Sequence, residues 1–114
     1  MVEDEALVGF EIEDALDQGG FDVDGPFTSA TRALGALAAG TPQVAVVDYV
    51  LRDGSAEALL RALRTRGVAC LVYSGLPRNF FELPPDLADV PWLAKPSALD
   101  DLIGALRALA RDGP

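Results

Sequence analysis

Val44-Ala45-Val46-Val47-Asp48, followed by Tyr49-Val50-Leu51-Arg52-Asp53-Gly54, is an apolar, β-branched run that closes on a carboxylate. Ionised side chains are costly to bury, so the pattern makes residues 43–48 a buried strand with Asp48 at its C-terminal tip, facing a solvent crevice. In open parallel sheets that end carries ligands and chemistry. Two further runs close in the same way: Val68 to Tyr73 stops at Ser74-Gly75, and Val90 to Ala94 stops at Lys95-Pro96. At the N-terminus, Val2 runs straight into Glu3-Asp4-Glu5. An acid pair, an Asp, a hydroxyl and a Lys thus appear in chain order, each at the end of an apolar segment.

The bulk composition narrows the classes. A length of 114 residues, half of them hydrophobic, suits one domain over 1–114 with a real core. No apolar run is long enough to cross a membrane, and the acidic N-terminus lacks the basic region of a signal peptide. Cys70 has no second cysteine to pair with and sits inside an apolar run, where a small buried hydrophobe is expected. Together these point to the cytoplasm. A formal charge of −9 with no histidine argues against nucleic acid and anionic lipid as partners. Nine acids precede Arg32, the first basic residue, and most of them read as a solvated helix face. Glu3 and Asp4 stand apart, because they follow the first apolar residues directly.

Periodicity gives alternating strands and helices. Residues 6–18 set Leu7, Phe10, Ile12 and Leu16 among acids, an amphipathic helix stopped by Gly19-Gly20. Phe21-Asp22-Val23 is a short strand candidate. Thr28 or Ser29 caps a second helix to about Ala39, with Leu34, Leu37 and Ala38 on one face. Ser55 or Asp53 caps a third helix to about Arg66, buried through Ala56, Leu59, Leu60 and Leu63 and ended by Gly67. Residues 69–74 and 91–94 are strands. Ser97-Ala98-Leu99-Asp100 resembles a capping box, opening a last helix with Leu102, Ile103, Leu106 and Leu109 inward. Such alternation predicts a parallel sheet with right-handed crossovers and helices on both faces. Between Gly75 and Val90 the pattern fails, since Pro77, Pro84 and Pro85 prevent a long helix. Phe80 and Phe81 are expected to pack on the sheet there, with an exposed contact patch as the alternative.

The acid pair, Asp48, Ser74-Gly75 and Lys95-Pro96, in this order over essentially the whole chain, resemble the receiver domains of two-component response regulators, here of the stand-alone type. The resemblance implies a flavodoxin-like, doubly wound α/β fold with five parallel strands in the order 2-1-3-4-5. It implies that Asp48 is the phosphoacceptor, taking its phosphoryl group from a partner's phosphohistidine on a sensor histidine kinase or histidine phosphotransfer protein. An unidentified downstream protein would then read the change, and a homodimer stays open. Mg²⁺ is the implied cofactor, held by Asp4, Asp48 and the Val50 carbonyl, with Glu3 acting through water. Lys95 would pair with a phosphoryl oxygen, and Ser74 would donate a hydrogen bond to it.

These roles have independent physical reasons. An aspartate accepting a phosphoryl group must lie in line with the donor while the charge on the transferring oxygens is neutralised. A small hard cation does this and prefers oxygen ligands. A compact ammonium suits a point contact to phosphate, and Lys95 is the only Lys beside eight Arg. The chemistry is that of a signalling module rather than an enzyme. An aspartyl phosphohydrolase would want a second Asp two residues after Asp48, where Val50 stands. A receiver-like module that binds protein without phosphorylation is the other reading. Asp53 reads as a turn or cap residue.

Three features depart from the family pattern. Trp92 occupies the position of the switch aromatic, where Tyr or Phe is usual, and serves as a switch, as a contact anchor or as plain core packing. The fourth helix is degenerate over residues 76–90. Only Met1 and Val2 precede the acid pair, yet a strand typically spans roughly 17–20 Å. The expectation is a truncated first strand, whose upstream residues lie outside this sequence or whose place another chain fills.

Overall fold

The computed structural model describes residues 1–95 and 98–112. Helix α1 (Ala6–Gln18) comes first, then α2 (Ala30–Leu37), β1 (Val44–Val47), a small hairpin of β2 (Val50–Leu51) and β3 (Gly54–Ser55), α3 (Glu57–Thr65), β4 (Ala69–Ser74), β5 (Trp92–Ala94) and α4 (Leu99–Asp112). The central sheet is parallel, with β1 paired to β4 and β4 to β5. Val2 extends it through single-residue parallel bridges to Val47 on one side and Phe27 on the other. The pairing therefore runs from Phe27 through Val2, β1 and β4 to β5.

Period-two alternation splits the core into two layers. Val47, Cys70 and Val72 pack with Leu37, Leu59, Leu60 and Leu63 of α2 and α3. Val46, Leu71 and Tyr73 pack with Ile12, Leu16, Leu102 and Leu106 of α1 and α4. Every residue of β4 is buried, as a central strand covered on both faces requires. Burying each such aliphatic side chain is worth about 1.5–3 kcal/mol, which is why these layers decide the fold.

Several expectations change at the element ends. Residues 21–23 form no strand; the bridging residue is Phe27, four positions later. Gly25 makes that bridge feasible, since its φ is +109° and a Cβ there would lie 2.5 Å from the Met1 carbonyl oxygen. On α1 the buried residues are Gly9, Ile12, Ala15 and Leu16, whereas Leu7 and Phe10 are 80% and 57% exposed. The acids flanking them hold that stripe at the surface, and small residues at positions 9 and 15 let the helix approach. Leu34 and Ala38 likewise lie at the surface of the second helix, beside the buried Leu37.

Ser29 caps α2 as expected, its hydroxyl accepting from Arg32 N at 3.2 Å. Neither Ser55 nor Asp53 caps α3, whose N-cap is Ala56 without a side-chain bond. Asp53 instead reaches across to α2, accepting from Ala30 N and Thr31 N at 3.0 Å each and from Thr31 Oγ1 at 2.7 Å. Its hairpin swings the carboxylate onto that helix start, where orphan N–H groups favour an anion. Gly67, at φ +75°, ends α3. Residues 76–90 carry only 3₁₀ turns at Arg78–Phe80 and Pro85–Leu87. Phe81 packs into the core, while Phe80 is 65% exposed. The capping box falls on Ser97, outside the described residues.

Candidate functional site

Parallel pairing brings the strand ends to one edge. Val2 pairs with Val47, so Glu3 and Asp4 emerge beside Asp48. Ser74 pairs with Ala94, and Lys95 N donates to the Ser74 carbonyl at 2.7 Å, which puts hydroxyl and ammonium at the same end. Carboxylate oxygens of Glu3, Asp4 and Asp48 lie within 4.8 Å of one another. Lys95 Nζ donates to Glu3 Oε1 and, at 3.2 Å, to Asp48 Oδ2.

The residues in this cluster are not equally buried. Glu3 is 2% exposed and Asp48 about 14% at the side chain, so the acids sit in a crevice rather than on open surface. Burial raises the Glu3 carboxyl above its ordinary value, and the hydrogen bonds from Lys95 and from Glu5 N offset only part of this. Burial works against the Lys95 ammonium, yet the Glu3 and Asp48 carboxylates outweigh it and hold its pKa above that of a free lysine. The Lys95 ammonium also lies 5.5 Å from the centre of the Tyr73 ring. Ser74 is buried, and its Oγ accepts from Leu76 N at 3.3 Å in the turn that follows.

Three carboxylates facing one ammonium leave a formal charge of −2 in the crevice. The donor set is all oxygen, which suits a hard divalent cation and not a soft one. Val50 lies two residues beyond Asp48 in β2, with its side chain half exposed.

Trp92 belongs to a cluster that sequence reasoning did not assemble. Its ring centre lies 5.5 Å from Tyr49 and 5.7 Å from Phe81, and Tyr49 and Phe81 are 4.5 Å apart. Trp92 Nε1 donates to the Leu76 carbonyl at 3.1 Å. Arg78 stacks over the indole at 6.0 Å and donates to the carbonyls of Ala88 and Val90. Tyr49 Oη donates to Glu57 Oε1 at 2.8 Å, and burial followed by this carboxylate pushes the phenol up to about 12. The signal in the sequence was Tyr49 itself, an aromatic adjoining Asp48. Its partners are 32 and 43 residues away, beyond what local spacing shows.

A parallel sheet with helices on both faces and an acid pair, an aspartate, a buried hydroxyl and a lysine at one edge is a doubly wound α/β domain with its polar groups gathered at the strand ends. Solved structures agree. A sensor protein from Polaromonas sp. JS666 superposes with a TM-score of 0.84 at 31% identity, over 97% of this chain and 94% of that one. The receiver domain of the response regulator PhyR from Erythrobacter litoralis gives 0.82 at 23% identity, over 98% and 87%. A response regulator from Burkholderia pseudomallei, carrying a phosphorylated aspartic acid and a calcium ion, gives 0.81 at 20% identity, over 97% and 66%. No family model and no curated protein sequence matches the chain. The chain belongs to the receiver domains of response regulators. Among the described residues no helix is long and apolar enough to cross a membrane.

Proposed function

We propose that this protein is the phosphoacceptor of a two-component phosphorelay, with Asp48 taking the phosphoryl group of a partner's phosphohistidine. The observation that carries the reading is the convergence of Glu3, Asp4 and Asp48 within 4.8 Å, with Lys95 bonded to two of them. An Asp48 carboxylate oxygen attacks phosphorus, the P–O bond forms and the P–N bond breaks. The electron pair returns to the imidazole nitrogen, which takes up a proton. Lys95 then exchanges its carboxylate contact for a phosphoryl oxygen, and the Ser74 hydroxyl donates to another. Asp4, Asp48 and the Val50 carbonyl, with Glu3 acting through water, would hold Mg²⁺, which when bound would neutralise charge on the transferring oxygens.

The domain works through proteins: a sensor histidine kinase or phosphotransfer protein upstream, and a binding partner downstream, all in the cytoplasm. Trp92 reports the state of the site, because it stacks on Tyr49, which adjoins Asp48, and its indole holds the loop at Leu76. A phosphorylation-independent binding module is the alternative, and the exposed Phe80 packed edge-on against Phe81 favours a contact surface there. Phosphotransfer from a histidine kinase to wild type and to Asp48→Ala, with and without Mg²⁺, separates the two. Label on wild type alone, and only with metal, is expected. Equal labelling of both, or none on either, would defeat the phosphoacceptor reading.

A further inference from the structure

Arg52 stands with Asp53 in the turn between β2 and β3, just beyond Asp48 and Val50. The two side chains of that turn reach to different places. Asp53 is committed to the start of α2, where Ala30 and Thr31 donate to its carboxylate. Arg52 reaches instead to the loop that carries the acid pair, and its Nη2 donates to the Asp4 carbonyl at 3.3 Å. That bond is long, and it uses one donor of a guanidinium fork that offers several. Asp4 meanwhile gives its carboxylate to the cluster with Glu3 and Asp48. Among the described residues Arg52 enters no ion pair, unlike Arg61 and Arg64 on α3, whose charges are matched by Asp86 and Asp89. It is therefore an exposed, uncompensated cation lying against the acid loop of the site.

The charge held in the crevice gives such a cation work to do. Glu3, Asp4 and Asp48 against Lys95 amount to a formal −2. An Asp48 that has accepted a phosphoryl group carries about −2 in place of −1, which takes the crevice to about −3. A divalent cation in place leaves about −1, and Arg52 supplies the unit that closes the balance. The same excess of negative charge repels a phosphoryl donor before transfer. Lys95 is poorly placed to offset this at a distance, because its ammonium is held inside the crevice by Glu3 and Asp48. An anion arriving from solvent meets the rim first, where Arg52 lies.

We propose that Arg52 captures the phosphoryl group of the incoming donor at the mouth of the site, exchanging its Asp4 carbonyl contact for phosphoryl oxygens. This rests on Asp48 being the phosphoacceptor. The ligand is a phosphoryl anion, which a planar guanidinium can grip through two parallel N–H bonds. The competing role for Arg52 is a brace that ties the hairpin to the acid loop. The two roles predict opposite effects on metal binding. Loss of a brace loosens the oxygen donors and weakens their hold on a cation, whereas loss of a positive charge beside them strengthens it.

Acetyl phosphate at saturating Mg²⁺ is the probe, with label on Asp48 read by intact mass against Asp48→Ala. Arg52→Gln should lower the second-order labelling rate about threefold to fivefold, the upper range for an exposed charge contact. Added salt should shrink the ratio of the two rates, since rim charges are screened. Mg²⁺ titrated without donor, followed by the fluorescence of Trp92, the single tryptophan, should bind Arg52→Gln as tightly as wild type or more tightly. Equal labelling of wild type and Arg52→Gln at low salt would overturn the proposal and leave Asp48 as the acceptor. Weaker Mg²⁺ binding by Arg52→Gln would assign the brace and overturn it equally. Wild type left unlabelled at Asp48 would overturn both the proposal and the reading beneath it, which tells the two failures apart.

Discussion

Replacing Lys95 with methionine keeps a long apolar stem but removes the ammonium that pairs with Glu3 and Asp48. The carboxylates left behind lie within 4.8 Å of one another. At an effective dielectric of about 20, two unit charges at that separation repel by about 3.5 kcal/mol. Glu3 is 2% exposed and cannot shed the penalty to solvent. Removing one partner of such a buried pair costs about 3–5 kcal/mol, and partial proton uptake by Glu3 sets the expectation near the lower end, about 3 kcal/mol at neutral pH. Two conditions should relieve it. Millimolar Mg²⁺ should stabilise Lys95→Met more than wild type, because the cation replaces a charge the variant lacks. Acidification toward the ordinary carboxylate range should also narrow the gap, since a carboxyl whose folded pKa is raised loses stability as pH rises above its unfolded value and regains it as pH falls. Urea unfolding of both proteins, with and without Mg²⁺ and at neutral and mildly acidic pH, measures all three effects. A variant as stable as wild type in metal-free neutral buffer would refute the reasoning, as would an identical Mg²⁺ response of the two proteins.

Trp92→Phe keeps a ring against Tyr49 and Phe81 but deletes the donor to the Leu76 carbonyl. A loss of about 1 kcal/mol is expected, with faster amide exchange confined to residues 76–83; unchanged exchange there would refute the tether. Asp53→Ala should lower the thermal midpoint by uncapping α2. Hydrogen bonds from Thr31 and Ala30 depress the Asp53 carboxyl to about 2, so this contribution is present above its ordinary value near 3.8 and is lost as pH falls through about 2. Melts of the two proteins should therefore converge in strong acid, and a constant gap would count against the cap. Burial pushes the Cys70 thiol up to about 11, so alkylation should proceed only through unfolding and scale with urea concentration. Rapid native-state labelling would show that the strand is more open than its packing indicates.

What the sequence determined was everything carried by short-range pattern. Apolar runs ending in Asp48, Ser74 and Lys95 announced strands whose tips bear chemistry. The 3.6-residue spacing of Leu59, Leu60 and Leu63, or of Leu102 and Leu106, marked buried helix faces, because burial dictates those periods locally. The prolines announced the degenerate segment. Tertiary structure decided what depends on groups distant in the chain. Asp53 caps α2 rather than α3, since a two-residue hairpin turns it across the molecule. Leu7 and Phe10 stay at the surface, because α1 packs on α4 through Ile12 and Leu16. Trp92 meets Tyr49 and Phe81 only once β5 lies beside β4. Local pattern reports how a segment would bury itself, whereas contacts between segments are set by how the whole chain shares one core.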